Sequence, residues 1–485
     1  MLINDHSKQV ERWSMLELVF KGPMTGNPFM DIHLKGEFTC NGRTLQQQGF
    51  YDGQGIYLIR IMPDTLGTWT YSIHSNCDQM DGISGQFECT CPSGSNHGLV
   101  RVCNTYHFTY EDGTPFYPFG TTCYAWNHQG RELEEQTLES LSAAPFNKIR
   151  MCVFPKHYDF NHNEPELYPF EGNPENGWDY ERFNPEFFRH LELRIRNLMD
   201  LGIEADLILF HPYDKWGFST TEPKTDDRYL KYILARLAAF RNIWWSLANE
   251  YDVMTKTIND WERFADIIIR HDPYGHLRSI HNCIHLYDHA RPWITHCSIQ
   301  RVDIYKTTEF VNEWRDHYRK PVIVDECTYE GNINHGWGNI SGAELVRRFW
   351  EGTLRGGYVT HGETYLDPDE ILWWSKGGRL HGSSSDRIAF LKAITEEGPS
   401  QGFSLLPLEW DSVCAGVPGE YYLFYYGFFQ PSFRIFHMPE GVPLKVEVID
   451  TWNLTVNQLP GTFSGEFRVE LPGSSYMAVR MRRVE

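Results

Sequence analysis

Between residues 115 and 400, short apolar runs alternate with amphipathic segments, and this alternation constrains the fold more than any other feature. Each run has strand length, whereas each following segment repeats its apolar residues at helical spacing. Eight runs can be counted: "FYPFGTTCYAW", "NKIRMCVF", "EADLILF", "NIWWSLANE", "LRSIHN", "HCSIQ", "PVIVDE" and "GGYVTHGETY". Eight strands, each followed by a helix, predict an α/β fold, the (β/α)8 TIM barrel. The sixth run has the weakest strand pattern.

The intervening segments carry helix boundary signals. One helix is predicted to begin at Asn184 and Pro185 and to end before Gly202. Another begins with Ser341 and Glu344, which have the spacing of a capping box. These signals place helices between strand runs, as the barrel requires.

Both ends of the chain have the alternation of half-buried strands. "DIHLKGEFTCNG" and "GTWTYSIHSN" predict an N-terminal, Ig-like β-sandwich over residues 1–92, and the Pro/Gly-rich "CPSGSNHG" predicts a linker over 91–98. "EYYLFYYGFF" and "LKVEVIDTW" predict a C-terminal β-sandwich over 405–485. With a catalytic barrel over 98–400, three domains account for 485 residues, which exceed one ordinary core.

Composition restricts the partners. With 44 basic and 64 acidic residues the formal net charge is −20, which opposes binding to nucleic acid or to anionic membranes. No run of about 18 apolar residues is present, and the start of the chain does not resemble a signal peptide. The 11 cysteines lack CxxC pairs, so we expect reduced thiols, a cytoplasmic location and no metal or other cofactor. The flanking β domains could shape the cleft, brace the barrel or form a homo-oligomer.

The stretch "WSLANEYD", residues 245–252, places Asn249 and Glu250 at the end of the fourth strand. Two other Asn-Glu pairs occur, but one precedes a proline in a loop and the other lies in a helical segment. A second carboxylate pair, Asp325 and Glu326, ends the seventh strand. Because strand ends of a barrel converge on one face, Glu250 and Glu326 can face each other over a ligand.

Two carboxyl groups roughly 5–5.5 Å apart are what retaining glycoside hydrolysis requires. Glu250 would be kept protonated by its neighbour and would protonate the leaving oxygen, while Asn249 would donate a hydrogen bond to a sugar hydroxyl. Aromatic residues make up 15% of the chain, including 16 Trp, and they favour a carbohydrate ligand, although a large aromatic core explains many of them. Equally, the two glutamates could be solvated residues of the rim.

Further substrate-binding candidates lie at other strand ends. Arg150 could orient the nucleophile, or it could form a structural ion pair. Glu363 is a third carboxylate and a rival nucleophile, whereas strand alternation turns Asp325 away from Glu326. One of Trp373 and Trp374 would stack on the sugar while the other packs in the core. The remaining candidates are His211, His281, Asn282 and His361.

The segment "IHNCIHLYDHA" spaces His281, His285 and His289 four residues apart. Three histidines at this spacing could bind a metal ion, which would make the protein a metal-dependent hydrolase. It begins as a strand and lacks an acidic ligand at a familiar spacing, so a polar substrate wall from His281 and Asn282 is the other interpretation.

"WSLANE" followed 76 positions later by the glutamate of "VIVDE" resembles clan A of the glycoside hydrolases. "FYDGQGIYLIRIMPDTLGTWTYSI", "FTYEDGTPFYPFGTTCYAW" and "THGETYLDPDEILWWSKGGRLHGSSSDRIAFL" resemble bacterial glycosidases with an N-terminal β-sandwich and an apiosidase-like barrel. The resemblance spans nearly the whole chain. It implies acid/base Glu250, nucleophile Glu326 and substrate-binding Asn249, but it does not identify the sugar. A non-catalytic carbohydrate-binding protein on the same barrel is the main alternative.

Overall fold

The computed structural model describes residues 9–484; the first eight residues, on which the expectation of no signal peptide partly rests, lie outside this range. Eight parallel strands in the middle of the chain form one sheet, in the order β18-β17-β16-β13-β12-β22-β20-β19. These barrel strands are β12 (Phe119–Thr122), β13 (Lys148–Cys152), β16 (Glu204–Phe210), β17 (Ile243–Ala248), β18 (Arg278–Ser279), β19 (Cys297–Gln300), β20 (Val322–Glu326) and β22 (Tyr358–His361). A parallel bridge between His281 and Ser298 brings the two edge strands together, so the ring is nearly closed. The predicted barrel is confirmed, including its sixth strand.

Helices surround the barrel in the intervals that the sequence predicts. They are α2 (Arg131–Ala143), α3 (Pro185–Asp200), α4 (Pro223–Leu237), α5 (Ile258–His271), α6 (Val311–Tyr318), α7 (Gly342–Leu354), α8 (Trp373–Lys376) and α9 (Ser384–Glu396). Asn184 caps α3 by accepting from the Glu186 amide at 3.1 Å. Ser341 caps α7, but the Glu344 carboxylate bonds to arginines of its own helix, so the predicted capping box is only half formed.

The N-terminal region consists of two sheets with a shared core. Its elements are β1 (Gln9–Glu11), β2 (Leu16–Lys21), α1 (Pro28–Asp31), β3 (Leu34–Cys40), β4 (Arg43–Gln48), β5 (Phe50–Tyr51), β6 (Ile56–Ile61), β7 (Gly67–Ser75) and β8 (Ser84–Thr90). A five-stranded sheet, β1-β8-β7-β3-β4, faces a three-stranded sheet, β2-β6-β5. Phe38, Ile59 and Trp69 are fully buried between them. The strict alternation of burial along β3 is the expected sandwich pattern.

A small sheet closes the lower end of the barrel, and the sequence pattern did not predict it. It contains β9 (Val100–Cys103), β10 (His107–Tyr110) and β11 (Pro115–Phe116). The Phe108 ring packs 5.4 Å from Trp244 and 5.5 Å from Tyr358, so β10 covers the barrel core from below. The predicted linker is also held in place, because Asn96 is buried and donates to the Arg12 carbonyl.

The C-terminal region is again built from two antiparallel sheets. They contain β24 (Val413–Val417), β25 (Tyr421–Tyr425), β26 (Phe433–His437), β27 (Leu444–Asp450), β28 (Thr455–Gln458), β29 (Glu466–Glu470) and β30 (Met477–Arg483). Phe424, Phe436 and Val469 bury their side chains in a core of their own. Two short pairs complete the structure: β14 (Phe170–Asn173) with β15 (Gly177–Phe183), and β21 (Glu330–Gly331) with β23 (Glu363–Thr364).

Candidate active site

Glu250 follows the fourth barrel strand at a backbone turn. Its φ of 53° lies in the left-handed region, which non-glycine residues seldom adopt. The turn is fixed on both sides, because the Asn249 amide donates to the Phe210 carbonyl and the Tyr251 amide to the His281 carbonyl. An unusual conformation that its neighbours hold in place is common at functional sites. The Glu250 side chain is only 6% exposed.

Two neighbours hold the Glu250 carboxyl group. The Tyr213 hydroxyl donates to Oε2. The side-chain amide of Gln300 is oriented so that its nitrogen faces hydrogen-bond acceptors. In this orientation the nitrogen donates to Glu250 Oε1 at 3.2 Å. Tyr213 follows the third barrel strand and Gln300 ends the sixth, so both sides of the barrel mouth fix this carboxyl group.

Glu326 is the last residue of β20 and is 5% exposed. It accepts a hydrogen bond from the Tyr124 hydroxyl. Burial and then the charge of Glu250 raise the pKa of Glu326 to about 7, while Tyr124 and Arg150 act in the opposite direction. Glu250 therefore acts electrostatically on Glu326 across the barrel, and the two residues are called the Glu pair below.

Asn249 is held so that one end of its amide remains available. Its Oδ1 accepts from Arg150 Nη2 at 3.1 Å and lies 3.0 Å from the Tyr124 hydroxyl oxygen, whose single hydrogen is donated to Glu326. Because Arg150 fixes the oxygen end of the amide, the Nδ2 group of Asn249 is the part that can donate to a ligand.

Arg150 belongs to a buried ion quartet inside the barrel, formed by Lys148, Arg150, Asp206 and Asp325. Lys148 Nζ lies 2.8 Å from Asp206 and 2.9 Å from Asp325, and Arg150 Nη1 lies 3.3 Å from Asp325. Within residues 9–484, Arg150 makes no ion pair with Glu326, so it orients Asn249 directly and acts on the nucleophile candidate only through space. The quartet also occupies Asp325, which removes it as a rival for Glu326.

Aromatic side chains line one side of the Glu pair. The Trp374 ring packs 5.3 Å from Tyr124 and 4.8 Å from Trp337. Trp373 instead lies in the barrel core and donates to the Thr121 hydroxyl at 2.9 Å. Of the two adjacent tryptophans, Trp374 is therefore the one near the Glu pair.

His281 faces the Glu pair, whereas Asn282 does not. His281 Nε2 is 4.0 Å from Glu326 Oε1, and neither ring nitrogen has a hydrogen-bond partner among the described residues. Burial and then the charge of Arg150 hold the pKa of His281 well below its ordinary value, so the ring is neutral. Both ends of the Asn282 amide are used on the backbone of Gln300, at 3.1 Å each. Asn282 therefore ties the segment after strand five to strand six.

His211 and His361 are buried, and among the described residues each uses one ring nitrogen in a hydrogen bond while the other nitrogen has no partner. His211 Nε2 donates to the Phe154 carbonyl at 3.1 Å. His361 Nδ1 lies 3.0 Å from the Thr121 hydroxyl, and its ring stacks on Phe146 at 4.6 Å. Burial lowers the pKa of each ring to about 4, so both are neutral near pH 7.

Glu363, the predicted third carboxylate, is directed away from the Glu pair. It accepts from the backbone amides of His381 and Gly382 and neighbours Glu330, which binds Ser383 and Ser384 in the same way. Burial raises the pKa of Glu363 to about 7. Its contacts fix the loop that precedes α9.

Four residues of the site were not among the sequence candidates: Tyr124, Lys156, Tyr213 and Gln300. Tyr124 lies near the end of the first predicted strand, "FYPFGTTCYAW", and Tyr213 lies three residues beyond the third, "EADLILF". Position alone could have identified them as facing the site. Lys156 lies four residues beyond its strand, so no spacing signal marked it.

No group of three or more His, Cys, Asp or Glu side chains in the described part of the chain is arranged to hold a metal ion. His285 is exposed, whereas His289 is buried against Tyr318, so the predicted histidine series does not converge.

Comparisons with known proteins agree with this architecture. Residues 103–402 match the family model of the apiosidase-like catalytic domain, and residues 9–76 and 410–482 match two domains of unknown function, DUF5060 and DUF5605. The crystal structure of an inferred glycoside hydrolase from Bacteroides vulgatus ATCC 8482 superimposes with a TM-score of 0.94 at 41% identity, covering 98% of this chain and 100% of that one.

A glycoside hydrolase of family 5 from the same organism superimposes with a TM-score of 0.62 at 15% identity, over 80% of this chain and 93% of that one. At that identity the likeness concerns the fold alone. No curated protein matches the chain. No helix in residues 9–484 is long and apolar enough to cross a membrane.

Proposed function

The chain belongs to the family of the apiosidase-like catalytic domain and is a glycosidase, and we propose that it acts with retention, using Glu326 as nucleophile and Glu250 as acid/base. The observation that supports this most is the Glu pair itself. Two buried carboxyl groups from the fourth and seventh barrel strands interact electrostatically at the mouth of the barrel. Each accepts a hydrogen bond from its own tyrosine.

In the first step Glu326 attacks the anomeric carbon, and the bond to the leaving oxygen breaks. Glu250 gives its proton to that oxygen, so the leaving group departs as a neutral alcohol. The Nδ2 group of Asn249 donates to the hydroxyl next to the anomeric carbon as positive charge develops on the ring. Because Arg150 already holds the amide through its oxygen, this contact requires little reorganisation.

In the second step the roles of the carboxyl groups reverse. Glu250, now ionised, takes a proton from a water molecule, which attacks the glycosyl–enzyme ester. The ester bond to Glu326 breaks, and the sugar leaves with its original configuration. Tyr213 and Gln300 keep Glu250 in one position through both proton transfers.

The substrate is proposed to be a glycoside or a short oligosaccharide. Trp374 and His281 are the proposed contacts for the sugar, since both lie beside the Glu pair. A cytoplasmic location is proposed because all 11 cysteines, which lie in residues 9–484, are free thiols. A cytoplasmic glycosidase would act on small imported glycosides.

The test uses aryl glycosides with a very acidic leaving group, which departs without protonation. Glu326→Ala should lose about a thousand-fold or more in kcat. Glu250→Ala should keep the first step on such substrates, and added azide should restore turnover and give a glycosyl azide of retained configuration. With Glu326→Ala, azide should give the inverted anomer.

Glu313→Gln is the matched control. It belongs to another Asn-Glu pair, lies on α6 and is exposed. Its activity should equal that of the parent. Unchanged turnover in either Glu250→Ala or Glu326→Ala would exclude that residue. Saturable sugar binding without product from any glycoside in a broad screen would support a carbohydrate-binding protein instead.

A further inference from the structure

A buried lysine lies among the aromatic rings of the site. Lys156 follows the second barrel strand, and its side chain is 1% exposed. No carboxylate among the described residues is within ion-pair distance of its ammonium group, and none of the hydrogen bonds in that range is donated by it. A lysine ammonium has three donors and is rarely buried without an acid partner, so its position requires another explanation.

The ammonium group is surrounded by four aromatic faces. Its Nζ lies 3.6 Å from the ring centre of Tyr124, 4.3 Å from that of Tyr213, 4.3 Å from that of Tyr158 and 5.0 Å from that of Trp374. Cation–π attraction at such distances stabilises the positive charge of a buried ammonium group.

Two of these rings are the ones whose hydroxyl groups bind the Glu pair. Tyr124 donates to Glu326, and Tyr213 donates to Glu250. A cation over the face of a phenol withdraws electron density from the ring and makes its hydroxyl a stronger donor. One ammonium group therefore faces both of the tyrosines that bind the Glu pair.

We propose that Lys156 is a positioning residue: from one buried location its ammonium strengthens the hydrogen bonds that Tyr124 and Tyr213 donate to the two glutamates. The catalytic consequence of this role is a nucleophile, Glu326, that ionises more readily, and this consequence rests on the proposed function. The electrostatic interactions have the required direction, since Lys156 favours the ionised form of Glu326. Burial lowers the pKa of Lys156, whereas Glu250 and Glu326 oppose that effect.

The tyrosines remain donors at every working pH. Burial, and then the charge of Glu326, raises the pKa of Tyr124 well above its ordinary value, and burial together with Glu250 does the same for Tyr213. The other titratable or charged groups that interact electrostatically with the Glu pair are Arg150, Cys152, Tyr158, His281, Cys283, Cys327 and Tyr329. Within residues 9–484, none of these is a cation over a tyrosine ring that binds a glutamate.

The decisive comparison is Lys156→Met against Lys156→Arg. Lys156→Met should move the acidic limb of the pH profile of kcat/KM upward by about 0.5–1 pH unit, because the Glu pair loses its cation. The value of kcat/KM at pH 7 should fall by about 10- to 100-fold. Lys156→Arg keeps the charge and should leave the limb near its position in the parent enzyme.

Lys215→Met is the matched control. That lysine also packs on an aromatic ring, 5.4 Å from the centre of Trp216, but it pairs with Glu164 and binds neither glutamate of the site. Its pH profile should coincide with that of the parent. A limb that stays in place in Lys156→Met, with only KM increased, would show that Lys156 binds substrate directly and would overturn the proposal.

A second measurement does not depend on turnover. Infrared difference spectra of the parent and Glu326→Gln identify the carboxyl band of Glu326. The pH midpoint at which this band titrates should rise in Lys156→Met. If no glycoside is hydrolysed but the midpoint rises, the proposed function fails while the role of Lys156 stands. An unchanged midpoint contradicts the role of Lys156 whatever the activity.

Discussion

At the scale of single residues, the site depends on which groups surround each carboxyl group of the Glu pair. Glu326 has a raised pKa because it is buried beside Glu250, and Tyr124 and the nearby cations limit that rise. Removing a neighbour should therefore move the titration of Glu326 in a direction that depends on the neighbour removed. Two substitutions have opposite expected effects.

Glu250→Gln should move the acidic limb of kcat/KM to lower pH. The nucleophile must be ionised, so activity is lost as the pH falls through the pKa of Glu326, about 7 in the parent. The substitution removes the charge of Glu250 but not the burial, so the limb should move only part of the way toward the ordinary glutamate value. A dinitrophenyl glycoside, which needs no acid, isolates this effect. A limb that moves upward would contradict the assignment.

Tyr124→Phe should move the same limb to higher pH. The variant removes the hydroxyl that donates to Glu326 and keeps the ring under Lys156. Loss of a hydrogen bond to a charged group is worth about 1.5–3 kcal/mol, so kcat/KM should fall by about 10- to 100-fold. The comparison with Glu250→Gln on the same substrate is the measurement. Equal shifts in one direction would mean that general damage, not charge, explains both.

At the scale of elements, the sequence predicted the eight barrel strands, and the alternation of strand and helix was sufficient because each strand is buried on both faces. It could not predict β9–β11, since short antiparallel strands beside a barrel have no periodic signal of their own. Nor could it show where Glu363 points, because strand position fixes the end of the barrel at which a residue lies but not its hydrogen-bond partners. Glu250 and Glu326 were candidates because each lies at the end of a long apolar strand.

Glu204, a buried acid at the lower end of the barrel, affects the pH dependence of stability. Glu204 begins β16 and accepts from the Trp244 indole at 3.0 Å. Burial raises the pKa of Glu204 to about 8. Because the folded state then binds a proton more tightly than the unfolded state, its contribution to stability is complete below the unfolded pKa near 4.3 and is lost as the pH rises toward 8.

Glu204→Gln should therefore stabilise the protein at pH 8 and have little effect at pH 5. The amide keeps an acceptor for Trp244 and has no charge to bury, and the gain is at most roughly 5 kcal/mol from the linkage relation. Thermal unfolding at the two pH values, with the exposed Glu175→Gln as control, measures it. An equal change at both pH values would indicate a packing effect and not a titration.

At the scale of the whole molecule, the N-terminal sheets and the barrel share buried contacts. Phe50 and Leu58 pack in the same hydrophobic cluster as the barrel helices. Arg60 of β6 donates to the Arg236 carbonyl at 2.7 Å and to Glu192 of α3 at 2.9 Å. These contacts make the N-terminal region a structural support of α3 and α4, and the boundaries at residues 92 and 98 remain predictions.

Arg60→Met tests how strongly that interface couples the two regions. Burial raises the pKa of Glu192, but Arg60 and Arg236 together lower it to about 2, so the carboxylate is ionised in the folded protein. Removing one partner of a buried ion pair typically costs about 3–5 kcal/mol, although Arg236 remains bonded to Glu192 at 2.6 Å and should keep the loss near the lower value.

Calorimetry should then separate a low-temperature transition of the N-terminal region from that of the barrel. Arg43→Met removes a partly exposed pair with Asp64 in the same region, and it should change unfolding by less than about 1 kcal/mol. If Arg60→Met unfolds in one transition at the parent temperature, the two regions are not coupled through this network. In that case the apolar contacts of Phe50 and Leu58 would be the ones that join the sandwich to the barrel.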